Sequence, residues 1–109
     1  MDEQPLLEFM NEKLAEGLQR EKTQEALDGW DRRVLLTLKD GRQFHFIVHD
    51  KNITIFEGPI DDVKMRIESD ETTIRKLFNE EMGAAAALLK RKLKVKGSAS
   101  DLMKLRHIF

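Results

Sequence analysis

No cysteine occurs in the chain. Disulfide staples, thiolate metal sites and a cysteine nucleophile are therefore excluded together. Long apolar runs are also missing, and none approaches the roughly 20 residues that a membrane-spanning helix needs. The opening residues Met1-Asp2-Glu3-Gln4-Pro5 are acidic and lack the basic start and apolar centre of a secretory signal. These absences fit a cytoplasmic location. There is no phosphate-binding glycine loop, no G-x-G-x-x-G and no G-x-S-x-G. Without a phosphate cradle or a nucleophile to assign, the reading is of a protein that is not an enzyme and needs no cofactor.

What is present suits one domain spanning residues 1–109, since 109 residues are too few for two separate cores. Charged residues make up 36% and hydrophobic residues 40%, a balance that is neither disordered nor membrane-like. The net charge of −1 hides a polarity along the chain. Residues 1–31 hold nine acids against Lys13, Arg20 and Lys22, whereas residues 87–109 hold seven bases against Asp101 alone. An acidic start and a basic end can attract each other, or the basic end can meet an anionic partner.

Periodicity supplies the elements. Leu6, Phe9, Met10, Leu14 and Leu18 recur at helical spacing after Pro5, with Glu21 to Leu27 as a separate helical turn before Gly29. Three strands follow. Val34, Leu36 and Leu38 share one face of the first, and Phe44, Phe46 and Val48 share one face of the second. Asp40-Gly41 reads as a hairpin in which both residues tolerate positive φ. After Asp50-Lys51-Asn52 comes Ile53 to Phe56, closed by Gly58-Pro59. Val63, Met65 and Ile67 alternate strictly with charged residues in a fourth strand, which predicts one buried and one wet face. Ser69 or Asp70 caps a helix carrying Ile74, Leu77, Phe78 and Met82. Gly83 breaks it before Ala84 to Leu89. Lys92 to Lys96 makes a fifth strand, and Ser98 or Ser100 caps a last helix with Leu102, Leu105 and Phe109. The sum is an α+β fold, a sheet with helices covering one face.

Several constellations are candidates for chemistry. His45 and His49 have H-x-x-x-H spacing, but four residues along a strand stand roughly 13 Å apart. That is too far for one metal bound at about 2 Å per nitrogen, so no metal site is expected. Asp61-Asp62 and Glu80-Glu81 sit in a turn and at a charged helix end, not in a desolvated cleft that acid–base work needs. The run Lys90 to Lys96 holds five bases in seven residues. Such a stripe can contact nucleic acid, an anionic membrane or a protein, and it also blunts an edge strand. No aromatic is interleaved to stack bases, so nucleic acid is not an expected partner. The apolar set mixes adaptable methionines, phenylalanines and the run Ala84 to Ala87. A tight core or a lipid-sized cavity can follow, and close packing favours the first.

The C-terminal stretch shifts that balance. Ala86-Ala87-Leu88-Leu89-Lys90-Arg91-Lys92-Leu93-Lys94-Val95-Lys96-Gly97-Ser98, continuing to Leu102-Met103-Lys104-Leu105, resembles the closing motif of sterol carrier protein 2-type domains. Trp30-Asp31-Arg32-Arg33, the Asp40-Gly41 hairpin and the alternating strand 63–67 follow a similar order upstream. The resemblance implies a mainly antiparallel five-stranded sheet and an apolar cavity beneath the helices. It implies binding of sterol, fatty acid, fatty acyl-CoA or phospholipid without catalysis. Carried over by position, Leu102, Met103 and Leu105 line or close the cavity, Phe78, Met82 and Leu89 form its helical wall, and Phe44, Phe46, Val48, Ile55 and Met65 are its floor. Arg91 departs from the family, standing where glycine is common, which puts the helix-to-strand turn in question. The sequence also ends without Ser-Lys-Leu and soon after the last helix, an arrangement compatible with an open cavity or with one completed by a second copy in a homodimer; a membrane, in transient contact, is a further expected partner.

Overall fold

The computed structural model describes residues 4–104. Helix α1 (Leu6–Gly17) and helix α2 (Glu21–Leu27) precede strands β1 (Arg32–Leu38), β2 (Gln43–His49) and β3 (Asn52–Glu57). Strand β4 (Met65–Ser69), helices α3 (Glu71–Phe78) and α4 (Ala84–Leu89), strand β5 (Lys94–Lys96) and helix α5 (Ala99–Lys104) complete the order. The strands form one sheet in the order β3-β2-β1-β4-β5. The α+β class and the five strands are as the sequence implies. The sheet is mixed, however, because β1 and β4 run parallel, with Val34 beside Met65 and Leu38 beside Ser69. The other three pairings are antiparallel.

The alternating residues do what their pattern predicts. Val34, Leu36, Leu38, Phe44, Phe46, Val48, Ile53, Ile55, Met65 and Ile67 all lie on one buried face. Leu6, Met10 and Leu14 of α1, Leu27 of α2 and Ile74, Leu77 and Phe78 of α3 cover it in the same apolar cluster. Burying a side chain of this size is worth about 1.5–3 kcal/mol, so this helix-covered face carries the stability of the fold.

The other sheet face is crossed rather than covered. The chain leaves β3 and passes to β4 through residues 58–64. The Gly58 carbonyl lies 2.8 Å from His45 Nδ1, and the Asp61 carbonyl accepts from Arg33 at 3.3 Å. His45 and Arg33 project from that second face, being neighbours of core-facing residues. Leu35 is buried on the same side.

Several local details differ from the sequence reading. At Asp40-Gly41 only Gly41 has positive φ, at 97°, while the Leu38 N–H donates to the Arg42 carbonyl at 2.9 Å. The connection is a three-residue turn ending in a glycine bulge rather than a two-residue turn. The two-residue form occurs next, where Asp50 and Lys51 both have positive φ and join His49 to Asn52. Val63 lies outside β4 and is half-buried. Helix α3 stops at Phe78, before Met82. Glu80 takes φ of 61° there, with the Glu81 N–H donating to the Lys76 carbonyl at 2.9 Å.

Candidate functional site

Helices α4 and α5 with β5 form the segment that the sequence singles out. Helix α4 buries Ala87, whose carbonyl accepts from both Lys92 and Leu93 at 2.9 and 3.2 Å. Arg91 N–H donates to Leu88 at 3.1 Å, and Arg91 itself has φ of 57°. This is a helix stop of the Schellman type, whose left-handed residue is usually glycine. Arginine fills that left-handed position here. Leu93 then enters the core, and the Ser69 hydroxyl donates to the Lys92 carbonyl at 2.7 Å, tying the turn to β4.

Helix α5 is clamped at one buried carboxylate. Asp101 is only 2% exposed. Its Oδ1 accepts from Trp30 Nε1 at 2.7 Å and from Arg32 Nε at 3.1 Å, while its own N–H donates to Ser98 Oγ at 3.2 Å. Burial favours the neutral acid. The Trp30 hydrogen bond and the Arg32 charge and hydrogen bond outweigh it, holding the carboxyl below the usual aspartate range. At the far end, Lys104 Nζ donates to the Ala26 carbonyl and stands 5.6 Å from the Trp30 ring centre. In the sequence Asp101 stands out only as the lone acid of a basic segment. Its place three residues after Ser98, in a Ser-x-x-Asp pattern, was the available signal.

The clamped helix nevertheless leaves apolar groups outside. Leu102 is 39% exposed and Met103 is 75% exposed. Leu88 and Leu89 at the end of α4 are exposed as well, Leu89 at 85%. Four of the five large apolar side chains exposed among the described residues lie in this stretch, the fifth being Phe56. The residues expected on the cavity floor, Phe44, Phe46, Val48, Ile55 and Met65, are buried together with Phe78 in one cluster, and Met82 packs half-buried against it. Leu89 projects away from that cluster instead of walling it, because it falls on the outer side of a helix whose inner side is Ala87. Leu105 lies outside the described residues.

Other candidates sort into structure. His45 stacks on Phe56 with ring centres 5.3 Å apart, while His49 Nδ1 stands 3.3 Å from Asp31. The two rings serve separate contacts. Asp61, Asp62, Glu80 and Glu81 are all exposed, and Glu80 pairs with Arg20 at 3.2 Å. A cleft of about 620 Å³ beside α3 is lined by Asp40, Arg42, Glu71 and Arg75. Those charges pair with one another: Arg42 with Asp40 and Glu71, and Arg75 with Glu71. The network fastens α3 to the β1–β2 turn. No helix among the described residues is long and apolar enough to cross a membrane.

The profile of the SCP-2 sterol transfer family matches residues 10–109. The chain belongs to that family. Its fold is shared by a crystal structure of sterol carrier protein 2, with a TM-score of 0.68 at 14% identity, covering 96% of this chain and 91% of that one. It is also shared by palmitated SCP2L2 from Aedes aegypti, with a TM-score of 0.59 at 12% identity and coverage of 85% and 91%. The sec-alkylsulfatase Pisa1 from Pseudomonas contains the same fold, with a TM-score of 0.66 at 11% identity. There the match covers 79% of this chain, which spans only 14% of the sulfatase. No curated protein matches the sequence.

Proposed function

We propose that this SCP-2 family chain binds and carries a lipid, whether sterol, fatty acid, fatty acyl-CoA or phospholipid, without transforming it. The observation that supports the reading is α5. Its position is fixed by Asp101 and Lys104, yet it holds Leu102 and Met103 out of the core. A helix clamped in place with unburied apolar side chains is suited to closing over an apolar ligand. In this reading Leu102 and Met103 close the site, with Phe78 and Met82 as its wall and the sheet face of Met65 and Phe46 beneath. Leu89 stays outside it. An acyl chain transferred from water gains roughly 0.8 kcal/mol per buried CH₂. The palmitate named with the Aedes aegypti structure is a lipid of that class.

The test is organic extraction of the purified protein followed by mass spectrometry, with titration of a fluorescent fatty acid. Co-purified lipid and saturable probe binding are expected. Leu102→Glu with Met103→Glu should weaken probe binding at least about tenfold, since two charges would face an apolar ligand, while the thermal midpoint stays unchanged. A lipid-free extract from a protein that also ignores the probe would overturn the reading.

A further inference from the structure

The lipid site leaves one surface unaccounted for, the corner where α4 passes into β5. Leu88 and Leu89 stand exposed there, followed directly by exposed Lys90, Arg91 and Lys92. Arg91, Lys92 and Lys94 line one small cleft with Thr37 and Glu68. Lys94 and Lys96 project from β5, opposite Glu68 and Arg66 of β4. None of Lys90, Arg91, Lys94, Lys96 and Arg66 is in an ion pair with another described residue. Lys92 is nearer compensation, since its charge reaches Asp70.

Edge protection explains lysines on β5, but it leaves two facts over. Arg66 and Lys96 are direct cross-strand partners, and like charges in that position destabilise a sheet. An anionic partner would relieve that repulsion. The most exposed of the described leucines, Leu89, also adjoins the cations, although edge protection asks for no apolar group there. Exposed leucine followed by Lys and Arg is the chemistry of a bilayer boundary, where apolar side chains enter the acyl region and cations meet headgroups. Single-stranded nucleic acid fits worse, because its sites interleave aromatics with cations. The exposed aromatic Phe56 lies on β3, at the opposite edge of the sheet.

We infer that the α4–β5 corner docks the protein on an anionic lipid bilayer. Leu88 and Leu89 enter the boundary, and Lys90, Arg91, Lys94 and Lys96 contact lipid phosphates and carboxylates. The inference stands apart from lipid carriage. A protein free of bound lipid that still binds vesicles would fail the carrier reading and keep this one.

Vesicle flotation of the full chain tests it, comparing phosphatidylcholine alone with phosphatidylcholine containing about 30% phosphatidylserine. Binding is expected only to the anionic vesicles and should fall as salt is raised. Lys94→Gln with Lys96→Gln should weaken it about 30-fold, at roughly fivefold per cation. Leu89→Ser should weaken it about tenfold through lost apolar burial. Lys22→Gln with Lys51→Gln removes the same charge from the α2 end and should leave binding within about twofold. All these positions are exposed, so folding is not at stake, and far-ultraviolet circular dichroism verifies it. Absence of vesicle binding overturns the inference. So does an equal loss in both double variants, or tighter binding to a single-stranded oligonucleotide than to the anionic vesicles.

Discussion

Arg91 shows how a single residue can hold a turn that usually takes glycine. A non-glycine side chain in the left-handed region costs roughly 1–2 kcal/mol. The hydrogen bonds from Lys92 and Leu93 to Ala87 and the burial of Leu93 force it there. Relief of that strain exceeds the roughly 0.4–1 kcal/mol that glycine loses through its freer unfolded chain, so Arg91→Gly should raise the unfolding free energy by about 0.5–1 kcal/mol. Chemical denaturation measures this, and an unchanged or lower midpoint would show that the turn is not strained. The departure at Arg91 was legible in the sequence as a substitution. Its outcome was not, because backbone conformation at one residue is set by the contacts of those around it.

Among the elements, β3 has the most to explain, since it is an edge of the sheet. Asn11 of α1 meets it like another strand. Its Nδ2 donates to the Ile55 carbonyl at 3.2 Å, and its Oδ1 accepts from the Ile55 N–H at 3.2 Å. One side-chain amide thus pairs a backbone unit that the edge would otherwise leave open. Asn11→Leu should cost about 1–3 kcal/mol by leaving those groups unpaired, and light scattering should show greater self-association than for the parent protein. Alternation made the strands readable, from Val34 to Ile67. The parallel β1–β4 pairing was not readable, because it depends on which edge of β1 remained free after β2 had taken the other. Asn11 was equally hidden, since its partner lies 44 residues away.

At the scale of the molecule, acid stability follows from three carboxylates on separate elements. Asp70 accepts from Thr73 N–H at 2.8 Å, Glu71 binds Arg42 and Arg75, and Asp101 binds Trp30 and Arg32. All three are held below their ordinary values. Burial opposes this at Asp70 and Asp101, and hydrogen bonds and nearby cations overcome it. At Glu71 the hydrogen bonds from Arg42 and Arg75 lead. A depressed native pKa means that the unfolded chain takes up protons first. The contribution is thus complete above about pH 5, where the unfolded carboxylates are ionised, and is lost as pH falls through the native values. Urea midpoints should hold steady from neutrality to about pH 5 and drop below about pH 4. Asp101→Asn should be less stable at neutral pH and lose less on acidification. An identical pH profile in that variant would remove Asp101 from the account.

The parallel pairing also has a consequence for synthesis. Strands β1 to β3 can pair with one another as soon as they emerge, but β1 keeps one side open until Met65–Ser69 arrives. At about 5–20 residues per second, the 31 residues from the end of β1 to the end of β4 mean a delay of about 1.5–6 s on the ribosome. During that interval the apolar row of Val34, Leu36 and Leu38 borders a bare strand edge. Codon choice between these strands, which changes no atom of the finished protein, therefore bears on how much of it escapes aggregation.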